Sequence, residues 1–246
     1  MKNYLIILSG WAVDKLVWSP LCKLLDKDYD IIVIDWENVT SMEGFKQKAT
    51  TIIRQKSIES FSIIGWSLGA LVALDIVAEL APQIERIILF SATSRFIRDD
   101  IGNYSMGWDK KIVERMLFRL EKHTEETLGS FYKNLFTEAE VNDGYYEHFL
   151  KETHVADKRY SIQSLSIGLE YLLLKDLRER IDSIDMPVLL IHGNGDIICP
   201  TKAGVYLDNH LKASKLIILD QIGHMPFFTK TKVCCEMIKN HMLRNN

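Results

Sequence analysis

The ten residues "SIIGWSLGAL" (62–71) hold the pattern that decides the fold. Apolar residues run up to Gly65, a serine follows at Ser67, and Gly69 begins a second apolar stretch. This pattern is typical of a short buried strand that turns sharply into a helix. Two interpretations of Ser67 are open at this point. It is either a nucleophile held on a strained turn or an incidental serine in a Gly-rich loop.

Short apolar runs recur along the chain, rich in Ile, Val and Leu and without polar alternation, as in strands that helices cover on both faces. The runs are 4–8, 30–35, 60–65, 86–92, 187–193 and 215–220. Helical patterns lie between them at 17–26, 42–57, 69–80, 201–211 and 230–243. This alternation predicts an α/β fold with a doubly wound, mostly parallel sheet.

The alternation breaks between residues 95 and 175, where no run is typical of a strand. Helix-like segments stand there instead, among them 110–123 and 126–136. We therefore expect a helical lid insertion at 95–175, carried by a core of residues 1–94 and 176–246. The insertion should cover the carboxyl edge of the sheet, which is where ligands bind in open α/β sheets.

Composition narrows the classes of function. The 246 residues are 47% hydrophobic and 26% charged with a net charge of −3, which argues against nucleic-acid or anionic-membrane binding. No stretch approaches the roughly 18–20 apolar residues of a membrane span.

The cysteines lack C-x-x-C spacing, which argues against a disulfide framework or zinc site and favours the cytoplasm. They are Cys22, Cys199, Cys234 and Cys235. The N-terminus could be a weak signal peptide, but its apolar stretch is short and fits a strand better.

The pentapeptide "GWSLG" (65–69) matches G-x-S-x-G. A predicted strand precedes it and a predicted helix follows it, which is the setting of a nucleophile elbow. The serine oxygen would then project beside a helix N-terminus, where backbone N–H groups and the helix dipole favour developing negative charge. This context favours a nucleophilic Ser67.

A serine nucleophile needs a base and a group that orients the base, in the chain order Ser, Asp or Glu, His on this kind of fold. The sequence "LLIHGNGDIICP" (189–200) places Asp196 just after a predicted strand. Likewise, "LIILDQIGHMPFF" (216–228) places His224 after the last predicted strand. Asp220 remains an alternative acid, and Asp196 could instead be a turn or capping residue. His192 fits a histidine packed at a strand end.

Hydrolysis of an acyl group also needs donors for an oxyanion. One donor is expected from the backbone N–H of Leu68, directly after the serine, and the other from the loop after an early strand. The stretch "LSGWA" (8–12) supplies that loop, and the N–H of Trp11 is the second candidate. The indole of Trp11 could form an apolar wall of the site or pack against the insertion.

These residues resemble the α/β-hydrolases and, more narrowly, the pimeloyl-acyl-carrier-protein methyl ester esterases. The matching stretches are "SGWAVDKLVW" (9–18), "GWSLGAL" (65–71), the segment 168–200 and "GHMPFF" (223–228). The resemblance implies Ser67 as nucleophile, Asp196 as acid and His224 as base, with Trp11 and Leu68 at the oxyanion site. It also implies that the stretch "FYKNL" (131–135) supplies acyl-pocket residues, of which Phe131 and Leu135 are the candidates.

The resemblance implies a serine carboxylesterase without metal or organic cofactor, acting on pimeloyl-acyl-carrier-protein methyl ester in biotin synthesis. An acyl carrier protein is then a candidate partner. Basic residues in the insertion form either its docking patch or an ordinary solvated helix face. They are Lys110, Lys111, Arg115 and Arg119. The alternatives are a general short-chain carboxylesterase, a thioesterase, a C–C hydrolase or lyase with the same triad, or a non-catalytic ligand-binding protein of this fold.

Overall fold

The structure, a computed structural model, describes residues 2–153 and 160–243. Within these ranges the chain forms one six-stranded sheet in which all neighbouring strands are parallel. The strands are β1 (Asn3–Leu8), β2 (Tyr29–Ile34), β3 (Phe61–Trp66), β4 (Ile84–Phe90), β5 (Val188–Gly193) and β6 (Ser214–Leu219). Their spatial order is β2-β1-β3-β4-β5-β6, so the nucleophile strand β3 lies in the middle of the sheet.

The predicted α/β fold with a doubly wound sheet is confirmed, and each apolar run corresponds to one strand. The run 86–92 is the least accurate, because β4 already ends at Phe90. Ser91 has φ 47°, which a strand does not accommodate, and its N–H donates to the carbonyl of Ile191 at 3.0 Å. The chain therefore leaves the sheet two residues earlier than its hydrophobicity indicates.

Helices flank the sheet on both faces. Outside the stretch between β4 and β5 they are α1 (Ser19–Leu25), α2 (Met42–Gln55), α3 (Leu68–Leu80), α9 (Thr201–His210), α10 (Pro226–Thr229) and α11 (Thr231–Leu243). Helix α3 is buried along most of its length because it contacts β1, β3 and β4 on one side and α2 on the other. Its first residue follows Ser67 directly, so this packing fixes the helix N-terminus beside the serine.

The stretch between β4 and β5 is helical where the structure describes it. Its helices are α4 (Lys110–Lys122), α5 (Thr124–Lys133), α6 (Glu138–Asn142), α7 (Tyr145–Glu152) and α8 (Ile162–Leu174). Arg95 and Asp176, at the two ends of this stretch, form an isolated antiparallel bridge. We keep the name insertion for residues 95–175, and its division from a core of 1–94 and 176–246 stays a prediction.

In the part of the chain that the structure describes, no helix is both long and apolar enough to cross a membrane. All four cysteines are free thiols, and burial raises the pKa of the Cys22 thiol to about 11. The cytoplasmic location expected from the cysteine pattern stays a prediction.

Candidate active site

Ser67 lies on a strained turn between β3 and α3. Its backbone has φ 56° and ψ −116°, a region that residues with a side chain rarely adopt and that costs of order 1–3 kcal/mol. The N–H of Ser67 donates to the carbonyl of Phe90 at 3.1 Å, which ties the turn to the neighbouring strand. The backbone geometry agrees with a nucleophile elbow and argues against an ordinary loop serine.

The glycines on either side of Ser67 are required by close backbone approach. A Cβ at Gly69 would lie 2.2 Å from the carbonyl oxygen of Leu8, and a Cβ at Gly65 would lie 2.7 Å from the Cα of Ala70. Both distances are shorter than real Cβ contacts. The G-x-S-x-G spacing therefore lets β1, the turn and α3 pack together while Ser67 remains at the carboxyl edge of the sheet.

Asp196 and His224 meet at the same edge. The Nδ1 atom of His224 lies 2.7 Å from Oδ2 of Asp196, and both side chains are fully buried. The other carboxylate oxygen, Oδ1, accepts the backbone N–H groups of Ile198 at 2.9 Å and Cys199 at 2.8 Å. These three hydrogen bonds fix the orientation of the Asp196 carboxylate.

The environment keeps Asp196 ionised. Burial alone would raise the pKa of its carboxyl, but the interactions with the adjacent imidazoles of His224 and His192 outweigh burial. The pKa of Asp196 therefore lies well below its usual range. An ionised carboxylate at Nδ1 keeps the proton on that nitrogen, so Nε2 of His224 is the atom that can accept a proton.

The residue next to Ser67 is hydrogen-bonded to the backbone of His224, while the structure shows no direct hydrogen bond between the described side chains of Ser67 and His224. The indole of Trp66, next to Ser67, donates to the carbonyl oxygen of His224 at 2.8 Å. Within residues 2–153 and 160–243, Nε2 of His224 is buried and has no hydrogen-bond partner. Catalytic hydrogen bonds are often long before a substrate binds, so this free nitrogen is compatible with a base.

His192 is a contact of the acid that the sequence analysis missed. It is packed at the end of β5, as expected, but its Nε2 donates to the carbonyl of Cys199 at 2.7 Å and lies 3.5 Å from Oδ2 of Asp196. A histidine four residues before the acid, at the end of a strand, was the available signal. Asp220, the alternative acid, instead accepts the side-chain N–H of Asn194 at 2.6 Å.

Two backbone N–H groups are available for an oxyanion. Among the described residues, the N–H groups of Trp11 and Leu68 donate to no protein acceptor. The indole of Trp11 donates to the carbonyl of Leu165 at 2.8 Å, and a Cβ at Gly168 would lie 2.4 Å from its ring. Trp11 therefore packs against α8 of the insertion. Its assignment as an oxyanion donor, like that of Leu68, stays a prediction.

A cavity of about 230 Å³ opens above Ser67 between the sheet edge and the insertion. Trp11 and Phe131 line it together, with ring centroids 4.8 Å apart. Most of the other lining side chains are apolar. They are Phe96, Trp108, Ile112, Val113, Met116, Leu169, Leu172 and Ile198. Such a cavity suits an acyl chain better than a polar ligand.

Leu135 contributes to the site through its backbone. Its side chain is fully buried, and its carbonyl oxygen accepts the backbone N–H of His224 at 2.8 Å. Ser9, directly before Gly10, has a hydroxyl that accepts the indole N–H of Trp18 at 3.2 Å.

Curated relatives and solved structures agree with this architecture. The pimeloyl-[acyl-carrier protein] methyl ester esterase of Nitrosomonas europaea is 24% identical over 92% of this chain and 90% of its own. The enzyme of the same name from Wigglesworthia glossinidia brevipalpis is 27% identical over 98% and 94%. An esterase structure from Exiguobacterium antarcticum shares the fold with a TM-score of 0.85, at 18% identity over 97% of this chain and 91% of that one.

The fold is also shared with a bromoperoxidase from Bacillus anthracis, with a TM-score of 0.88 at 16% identity over 99% of this chain and 93% of that one. Structural similarity at such low sequence identity is evidence for a shared fold only. The family described as alpha/beta hydrolase fold matches residues 3–231, which include Ser67, Asp196 and His224. The chain therefore belongs to the alpha/beta hydrolase fold family.

Proposed function

We propose that the chain is a serine carboxylesterase in which Ser67 attacks the ester carbonyl while Nε2 of His224 takes its proton. Asp196 orients the imidazole and stabilises its charged form. The N–H groups of Leu68 and Trp11 hold the oxyanion, where one such donor is typically worth about 10²–10³ in rate. His224 then protonates the departing alkoxide, and water hydrolyses the acyl-enzyme. This mechanism uses no metal or organic cofactor.

The observation that carries this proposal is the buried 2.7 Å hydrogen bond between Asp196 and His224 at the same sheet edge as the strained Ser67 turn. A carboxylate that holds Nδ1 leaves Nε2 as the basic atom, and that nitrogen has no partner among the described residues. The enzyme class predicted from the sequence, a carboxylic ester hydrolase, is confirmed by the esterase relatives.

We further propose the substrate that those relatives are named for, a pimeloyl-acyl-carrier-protein methyl ester, and with it a role in biotin synthesis. Two features support this choice: the apolar lining of the cavity and the near full-length match. In this proposal residues 95–175 form the lid that encloses the acyl chain, with Phe131 on its wall. A general short-chain carboxylesterase is the second candidate, because a cavity of about 230 Å³ also admits short esters.

Steady-state hydrolysis tests both candidates. Pimeloyl methyl ester would be supplied carrier-bound and free, beside p-nitrophenyl esters of graded chain length, with Ser67→Ala as the blank. Strong preference for the carrier-bound methyl ester supports the proposed substrate. Turnover of short free esters without that preference leaves a general carboxylesterase, and faster turnover of carrier-bound thioesters would make it a thioesterase.

The basic patch divides into two parts in the structure. Arg115 and Arg119, one turn apart on α4, are exposed and line the cavity, so they lie where it meets solvent. Lys110 and Lys111 do not line the cavity. Ion pairs occur in both parts, since Lys110 pairs with Glu114 at 3.3 Å and Arg119 pairs with Glu126 at 3.7 Å. We propose that the two arginines, rather than the lysines, meet an acidic carrier protein.

The double variant Arg115→Ala/Arg119→Ala is expected to raise KM for the carrier-bound ester by about 10-fold, because two exposed charge contacts are lost. Its kcat/KM for a free p-nitrophenyl ester should stay within about 2-fold of the parent, since free esters lack the acidic partner. Steady-state kinetics at low and high salt measure both values. Docking by the cavity arginines would be contradicted if Lys110→Ala/Lys111→Ala raised KM for the carrier-bound ester equally. It would also be contradicted if the arginine variant lost kcat/KM equally on the free ester.

A further inference from the structure

Glu140 is a buried carboxylate that the mechanism above does not use. It lies in α6 of the insertion and is only 4% exposed. Its Oε2 accepts the backbone N–H of Thr137 at 2.9 Å, which completes a capping box at the start of α6. The same oxygen also accepts the N–H of Gly223 at 3.0 Å, a residue 83 positions away in the chain. A helix cap alone does not require this second contact.

Gly223 precedes His224, so Glu140 holds the peptide that carries the base. We call residues 221–224 the histidine loop and residues 135–140 the docking segment. Three hydrogen bonds join them: Gly223 N–H to Glu140, His224 N–H to the Leu135 carbonyl at 2.8 Å, and the Thr137 hydroxyl to the Gln221 carbonyl at 3.2 Å. The backbone of the histidine loop is thus held by the insertion on one side and by the core on the other, where Asn194, Gly195 and Trp66 also hydrogen-bond to it.

The histidine loop and the docking segment approach each other closely. A Cβ at Gly223 would lie 2.6 Å from the Leu135 carbonyl oxygen and 2.9 Å from Oε2 of Glu140. Phe136, in the docking segment, also packs edge-on against Phe228 just beyond the histidine loop, with centroids 6.2 Å apart. The docking segment and the histidine loop therefore form one packed unit.

We infer that Glu140 is a positioning residue that aligns His224 with Ser67 through the N–H of Gly223. The inference rests on the roles proposed above for Ser67 and His224. Oε1 of Glu140 has no hydrogen-bond partner within the described ranges. All hydrogen bonds of this buried carboxylate are therefore made by Oε2, the oxygen that faces Gly223. Loss of that acceptor leaves a buried N–H unpaired beside the base, and the loop is expected to shift.

Two variants of Glu140 with similar side-chain volume distinguish the effect of its hydrogen-bond acceptor from the effect of its packing. Glu140→Met removes the acceptor, and Glu140→Gln keeps an oxygen that can accept from Gly223. We expect Glu140→Met to lower kcat by about 10–100-fold with KM within about 2-fold, because misplacement of about 1 Å costs that much in proton transfer. Glu140→Gln should recover most of kcat. If the methionine variant does not fold, Glu140→Ala takes its place.

Ser41→Ala is the matched control, since it removes the N-cap of α2 without any contact to the histidine loop. It should lower the melting temperature and leave kcat unchanged. The Nδ1–H proton of His224, followed by NMR of the ¹⁵N-labelled imidazole, gives a readout that helix capping does not move. Its resonance should shift or broaden in Glu140→Met and stay in place in Glu140→Gln and Ser41→Ala.

A methionine variant with lower thermal stability but unchanged kcat and an unchanged His224 resonance would overturn the inference and leave Glu140 as a helix cap. If the parent protein hydrolyses no ester at all, the proposed function fails instead. The imidazole resonance does not depend on ester turnover, so it still tests whether Glu140 positions His224.

Discussion

The Ser67→Ala variant is expected to lose ester turnover almost completely, with kcat lower by about 10⁶-fold, as for other triad serines. The hydroxyl is the atom that forms the acyl-enzyme, and Asp196 and His224 have no other nucleophile to activate at this turn. Any residual rate above that of the uncatalysed reaction in water would come from the oxyanion donors and the cavity alone. Steady-state kinetics on a p-nitrophenyl ester, with the burst of the parent protein as reference, measure the loss.

The same position separates catalysis from stability. Alanine carries a Cβ as serine does, so Ser67→Ala keeps the strained φ of 56°. Its melting temperature should therefore equal that of the parent protein. Ser67→Gly removes the Cβ and is expected to raise the free energy of unfolding by about 1 kcal/mol while remaining inactive. Chemical denaturation of the three proteins tests this order. Full turnover by the alanine variant would place the nucleophile elsewhere.

Local sequence patterns predicted the sheet well because each strand carries its own apolar run. The central strands β3 and β5 are buried throughout, and the edge strands β2 and β6 keep an apolar run although they are only partly buried. The same reasoning put Asp196 and His224 at one edge, since parallel strands end there together. The prediction of β4 to residue 92 was too long, because the chain ends the strand with a positive φ at Ser91, a backbone conformation that hydrophobicity does not indicate.

Contacts between the insertion and the core were the part that sequence could not supply. Leu135 was expected to line the acyl pocket, but whether its side chain or its backbone faces the site depends on how the end of α5 packs against the histidine loop. Glu140 went unassigned for the same reason, because its partner, the N–H of Gly223, lies 83 positions away in the chain. His192 was expected only to pack at the strand end, although its contact with Asp196 spans just four residues.

Asp196→Asn is expected to lower kcat by about 10⁴-fold, because it reverses the tautomer of the base. Oδ1 of Asp196 accepts the N–H groups of Ile198 and Cys199, so the asparagine carbonyl oxygen must take that place. Its amide N–H₂ then faces Nδ1 of His224 and donates to it. The imidazole proton moves to Nε2, which can no longer accept a proton from Ser67.

Asp220→Asn is the control for this variant. Asp220 lies close in the chain to His224 and is exposed, but it bonds to Asn194. Its replacement should change kcat by less than about 3-fold, as for most surface substitutions. Equal losses in the two variants would mean that Asp196 does not orient the base.

The pH dependence of stability gives Asp196→Asn a second signature. The pKa of Asp196 in the folded protein lies below the ordinary carboxyl value of about 3.9. Its ionised form therefore stabilises the fold above that pH, and this contribution is lost as the pH falls through the folded-state pKa. Asparagine has no such proton to bind, so the variant's unfolding midpoint should fall less steeply below about pH 4 than that of the parent. Parallel acid denaturation curves would contradict an ionised, histidine-bound Asp196.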